Sequence, residues 1–296
     1  MNAVKYSIRD LERITGIRAH TIRMWEKRYG IIIPERTKTN IRYYSDSNLH
    51  KLLNISILNK NGFKISHISE LSDSEIISEV ANISDSDGQL DVDINEMIMA
   101  AADLQEDQFE KTLNSSILKL GFEKTFCDLI FPLFEKMAVF CQIGRINNCQ
   151  ERFIVNLVRQ KLLVAIDGLV GQSNPNPRNY LLFQPSGEHN ETGLLFANYL
   201  IRKSGHQVVY LGSSVPIEHL QRLVETGDSK FHEILLNLTL PQSENDLISY
   251  RDMLRELFPT HKIHMVVTSE HPQIDSTDYP NMQIYSNYTA FSEAVH

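Results

Sequence analysis

From Tyr180 onward the chain alternates short apolar runs with amphipathic stretches, and few folds accept that rhythm. YLLFQP is followed by GLLFANYLIRKSG, QVVYLG by PIEHLQRLVETG, and EILLNLTL by ENDLISYRDMLRELF; KIHMVVTS leads to a shorter run, MQIYS, and a closing TAFSEAV. Short apolar runs that do not alternate with polar residues read as strands buried on both faces, and the amphipathic stretches as the helices that cover them. This predicts an α/β doubly wound parallel sheet, flavodoxin- or Rossmann-like, over residues 178–296. Such sheets hold ligands at the carboxyl ends of their strands.

Upstream the pattern is helical. Phe126, Leu129, Ile130, Leu133, Phe134 and Met137 fall on one face of a helix, with Pro132 placed to kink it. Phe153, Leu157, Val158, Leu162 and Ile166 form another stripe. About four helices fit over 94–172, which predicts a four-helix bundle. The turn-rich SNPNPRN joins it to the sheet. Residues 76–93, rich in Ser and Asp, read as an acidic linker with room for one short helix.

At 296 residues the chain is multidomain by length, and its formal charge is −8. As an average that charge argues against nucleic acid, but the charge is not evenly spread. Residues 1–64 hold 13 Lys/Arg and 5 Asp/Glu, whereas 65–296 hold 16 and 32. A basic head on an acidic body points to a DNA-binding end. No apolar run is long enough for a membrane helix, and the start does not read as a signal peptide. Cys127, Cys141 and Cys149 form no CxxC pair, so a reduced, cytoplasmic protein without disulfides is expected. No P-loop, GxGxxG, HExxH or GxSxG occurs, which leaves no expected metal and no expected enzyme.

The head has helix-turn-helix logic. In YSIRDLERITGIRAHTIRMWEKRYG, Ile8, Leu11 and Ile14 give a first helix its apolar face, Thr15-Gly16 makes the turn, and a second helix runs from about Ala19 with Ile22 and Trp25 inward. Its outer face carries Arg18, His20, Thr21, Arg23, Lys27 and Arg28, candidates for the major groove. IIIPERTKTNIRYYS reads as two short strands about a turn at Thr39-Asn40, where Asn tolerates a left-handed backbone. This wing supplies Arg36, Thr37, Lys38, Asn40, Arg42 and Tyr43 as phosphate-side candidates. Glu26 reads as orienting an arginine; Tyr43 and Tyr44 could pack or touch phosphate.

These residues closely resemble the MerR family of transcription regulators. The likeness rests on Tyr6-Ser7-Ile8, Thr15-Gly16-Ile17, His20-Thr21-Ile22-Arg23, Trp25-Glu26, Pro34, Arg42 and Tyr44-Ser45. LLNISILNKNGFKISHISEL resembles the family's third and fourth helices. The resemblance spans residues 1–75 and implies a winged helix-turn-helix dimer on double-stranded promoter DNA.

The bundle-then-sheet order and HTIRMWEKRYG resemble the CarH/LitR-type light-responsive repressors, whose body is a cobalamin-binding module. That resemblance implies a Glu-x-His-x-x-Gly loop whose His ligates cobalt. Here the loop runs from Glu188 to Gly193, with Asn190 at the ligand position and His189 one residue early. Imidazole is a good ligand for such a metal and a carboxamide a poor one. The resemblance also implies a Trp capping the corrin and a Glu-His pair; Cys141 and Glu151-Arg152 stand there. Where it implies Ser-x-Leu and Gly-Gly around the vitamin's nucleotide tail, Asn237-Leu238-Thr239 and Thr268-Ser269 stand. Glu151 is kept, but joint departure at four sub-sites predicts a fold that kept its shape and lost its cofactor. The expected function is a repressor, a homodimer or larger, with its effector unassigned and contact with RNA polymerase left open. Two alternatives remain at this point: an adenosylcobalamin-dependent light-responsive repressor and a corrinoid-dependent methyltransferase-like protein.

Overall fold

The computed structural model describes residues 5–36, 40–81, 86–169, 174–186, 190–216, 219–220, 222–223, 231–238, 244–267 and 281–295. The chain divides into two compact units, Met1–Ile154 and Val155–His296.

In the first unit, α1 (Ile8–Thr15) begins at a capping box: Ser7 Oγ accepts from Asp10 N and the Asp10 carboxylate accepts from Ser7 N. It ends at Gly16, whose φ of 71° needs no Cβ to be moved aside. α2 (Ala19–Tyr29) follows and closes on Gly30. β1 (Glu35–Arg36) and β2 (Arg42–Tyr43) pair antiparallel, and Asn40 takes the left-handed backbone expected of it, φ 64°. A bridge between Tyr6 and Tyr44 ties the start of the head to the end of the wing. α3 (Asp46–Lys60), α4 (Ile65–Ile68) and α5 (Asp73–Ala81) complete this part.

The bundle begins earlier than the composition of 76–93 suggests. α6 (Ser86–Ala102) opens inside the segment expected to be a linker. Its acidic residues have intramolecular work: Asp91 pairs with Lys60 at 2.7 Å and Asp93 accepts from Ser116 Oγ at 3.0 Å. A solvated acidic strip and the polar face of a packed helix have the same composition. α7 (Glu106–Leu120) and α8 (Phe122–Thr125) lead into a π-helical turn (Phe126–Ile130) and then α9 (Phe131–Gln142). The irregularity expected at Pro132 takes this form. Proline has no N–H to give the helix ladder, and a wider turn just before it absorbs the defect. Phe109, Leu113, Phe126, Leu129, Ile130, Leu133, Met137 and Phe140 are buried. The division between units falls inside α10 (Asn148–Asp167).

The second unit is the predicted sheet. β3 (Asn179–Pro185), β4 (Gln207–Val215), β5 (Glu233–Leu238), β6 (Lys262–Val267) and β7 (Met282–Tyr285) are all parallel, in the order β4-β3-β5-β6-β7. α11 (Thr192–Lys203), α12 (Glu244–Leu257) and α13 (Tyr288–Val295) accompany it. The helix expected from PIEHLQRLVETG lies mostly outside the described residues. β3 and β5 are buried along nearly their whole length, as a central strand covered on both faces must be. Leu181, Phe183, Ile234, Leu236, Ile263 and Met265 share one core with Leu254 and Phe258. Strand order reverses between β3 and β5, so the crevice of this fold opens at their carboxyl ends.

Candidate nucleic-acid interface and the carboxyl edge of the sheet

α2 is amphipathic in the sense a groove-reading helix requires. Ile22 and Trp25 are buried, while His20, Arg23, Lys27 and Arg28 are exposed. His20, Arg23 and Lys27, at i, i+3 and i+7, project opposite the buried pair. Arg18 is the exposed N-cap, and half-buried Thr21 places its hydroxyl 3.3 Å from the His20 ring. Met24, 48 % exposed, stands within this face and was not among the expected residues; its i+4 spacing from His20 was the available signal. The turn beneath is pinned from α3, where buried Ser56 donates to the Thr15 carbonyl at 3.0 Å.

The wing is braced rather than free. Arg36 donates to Asn40 Oδ1 at 2.7 Å, which holds the guanidinium near the tip. Arg42 Nε lies 3.3 Å from Glu26 Oε1, so Glu26 does orient an arginine. Tyr44 is fully buried and donates to the other Glu26 oxygen at 3.3 Å. Burial and the Glu26 carboxylate push its pKa up to about 12. Tyr44 is therefore a packing residue. Tyr43 is half-buried and donates to Glu35 at 2.6 Å, which raises its pKa. The Lys5 ammonium sits 4.3 Å from the centre of the Tyr43 ring, a contact between distant residues that no local pattern announces. Thr37 and Lys38 lie outside the described residues.

At the carboxyl edge of the sheet the polar groups turn on one another. The Asn190 side-chain oxygen accepts from Thr192 N at 3.1 Å, and the Asn190 carbonyl accepts from Gln184 Nε2 at 3.0 Å. Buried Tyr288, on α13, donates to Asn237 Oδ1 at 2.7 Å. It lies so close to Gly193 that a Cβ there would collide with the phenol oxygen. Glu191 accepts from Arg159 at 2.8 Å and from Tyr210 at 3.1 Å. Gln184 Oε1, Thr192 Oγ1 and Asn237 Nδ2 are buried without a partner. Glu188, His189, Thr268 and Ser269 lie outside the described residues.

The other positions implied for a corrin fall in the first unit. Cys141 Sγ is 3.9 Å from Glu151 Oε2, its pKa raised by burial and then by that carboxylate, and Arg152 is exposed. Among the described residues no group of His, Cys, Asp and Glu could hold a metal ion. The Asn190 carboxamide, at the position the resemblance implies for a cobalt ligand, is engaged at the start of α11, and the Tyr288 phenol lies over Gly193.

Residues 6–75 match the family model of the MerR HTH family regulatory proteins. The chain is 30 % identical over 218 residues to the HTH-type transcriptional repressor CarA of Myxococcus xanthus, covering 72 % of this chain and 70 % of that one. The chain belongs to the MerR family. The HTH-type transcriptional repressor CarH of the same organism is 26 % identical over 261 residues, covering 86 % of this chain and 85 % of its own. A monomethylamine corrinoid protein of Methanosarcina barkeri aligns in structure with a TM-score of 0.47 and 12 % identity, over 67 % of this chain and 94 % of that one. This MerR protein is thus a DNA-binding regulator whose winged head carries the cationic face just described. No described helix is long and apolar enough to cross a membrane.

Proposed function

We propose that the protein is a sequence-specific repressor that binds double-stranded promoter DNA as a homodimer or larger assembly in the cytoplasm, and that its sheet domain has lost cobalamin. The exposed face of α2, set on a pinned Gly16 turn, carries the DNA-binding part of this reading. His20, Arg23 and Met24 enter the major groove, where Arg and His donate to base edges and the thioether meets apolar surface. Arg18, Lys27, Arg28, Arg36 and Arg42 lie against phosphates and set the register. Repression follows from excluding RNA polymerase from the occupied promoter, and no catalytic step is assigned to the chain.

The loss of cobalamin rests on Asn190 and Tyr288. A second reading, an adenosylcobalamin-dependent light-responsive repressor, draws support from the buried, unpartnered atoms of Gln184, Thr192 and Asn237 at the same edge. One experiment separates the two. The protein is mixed with adenosylcobalamin in the dark and desalted, its visible spectrum is recorded, and its affinity for DNA upstream of its own gene is measured at low salt. The expected outcome is specific DNA binding with no retained corrin absorbance. Retained absorbance establishes the second reading. Absence of any specific DNA binding overturns both.

A further inference from the structure

Within the first unit a cavity of about 390 Å³ lies between the helix-turn-helix and the bundle. One wall is the reading head itself: Arg13, Ile14, Thr15 and Gly16 from α1 and its turn, with Ser56 and Lys60 from α3. The facing wall comes from α6 and α9. The volume is that of an ordinary small-molecule site. Its apolar lining is Ile14, Leu53, Ile57, Ile94, Pro132 and Val139.

The charges in this cavity are unevenly satisfied. Lys60 is paired with Asp91 at 2.7 Å. Glu135, on the α9 wall, is exposed to water. Half-buried Lys136 has one hydrogen-bond partner among the described residues, the neutral carboxamide oxygen of Asn95 at 2.6 Å. Exposed Arg13 pairs with no carboxylate among them. Lys136 is half-desolvated, hydrogen-bonds only a neutral acceptor and shares the nearby Asp91 carboxylate with Lys60, so with Arg13 the cations of this cavity outnumber its two carboxylates, Asp91 and Glu135.

We propose that this cavity binds a small organic carboxylate with an apolar body. The carboxylate pairs with the Lys136 ammonium from α9 and the Arg13 guanidinium from α1, and the body lies against Ile14, Leu53, Ile57 and Val139. Inorganic anions fill the charge and leave the walls unused. Neutral and cationic analogues fill the walls and leave Lys136 unpaired. Burial pulls the Lys136 pKa down; the Asp91 carboxylate opposes this and the Lys60 cation adds to it, leaving about 8. The ammonium is therefore the main form at neutral pH, and affinity should fade as pH rises above about 8. A ligand here touches the turn that Ser56 pins, which, given the repressor reading, makes it an effector site.

The test uses the full chain without DNA, so its outcome is independent of that reading. Benzoate and butyrate are titrated against benzyl alcohol, butylamine and inorganic phosphate, followed by ligand-observed NMR and thermal shift. The carboxylates should bind and the controls should not. Lys136→Met should weaken carboxylate binding by at least about tenfold while the chain stays folded. Val139→Phe, which keeps the lysine and fills the space, should do the same. Equal binding of benzoate and benzyl alcohol, or undiminished benzoate binding by Lys136→Met, overturns the proposal.

Discussion

Arg23 and Arg42 carry the same charge in the same head and have different surroundings. Arg23 is exposed on α2, whereas Arg42 is held by Glu26. Arg23→Ala should cost about 1–3 kcal/mol of operator affinity and relax base preference, as read by anisotropy on operator and scrambled duplexes. Glu26→Ala should lower stability, because fully buried Tyr44 would lose its acceptor; the expected cost is about 1–3 kcal/mol in urea unfolding. That glutamate was legible as an arginine's partner, but neither which arginine nor its hold on Tyr44 was, since helix and wing meet only in three dimensions. The same holds for Glu233 in the sheet, bonded to His264 at 2.7 Å and to Arg178 at 3.4 Å. Burial alone would raise the Glu233 carboxyl, but the His264 bond and the charges of His264 and Arg178 outweigh it and hold the pKa at about 2, below the usual 4.5. A carboxyl lowered in the folded state stabilises above its ordinary pKa and loses that contribution as pH falls from about 4.5 toward 2. Glu233→Gln should therefore flatten the decline of stability with acidification in urea titrations below pH 4.5.

At the scale of elements, the parallel strands were readable because central strands must be apolar on both sides, and β3 and β5 are. The opening turns of α6 were not. Their acidic residues are answered by Lys60 and Ser116, partners 31 and 23 positions away. α11 and α13 meet at a point that neither announces in its own sequence. Gly193 could be read as a loop anchor, yet it lies within α11, and its missing Cβ makes room for Tyr288. Gly193→Ala should destabilise the protein by about 1–3 kcal/mol through overpacking. Adding Tyr288→Phe, which removes the colliding oxygen, should recover part of that loss. A thermal-unfolding double-mutant cycle that proves simply additive would show that the two residues do not share the space.

The molecule as a whole separates its charges by task. The net −8 conceals a head with 13 Lys/Arg against 5 Asp/Glu over residues 1–64. DNA affinity should therefore fall steeply as salt rises, with log K linear in log salt. Arg28→Ala should lower that slope while leaving base preference intact. Size exclusion without cobalamin should return a dimer or larger species, and a monomer at micromolar concentration would remove self-association from the mechanism. The seating of Tyr288 over Gly193 reaches furthest at this scale. A domain that needs a diffusible molecule to complete its interior has a stability that reports how much of that molecule is present. Under the proposed loss of cobalamin, the filler is Tyr288, covalently part of α13, at a concentration fixed by the chain and never depleted. On that proposal the domain does not meter its surroundings through that slot, and its melting temperature should be indifferent to added corrinoid.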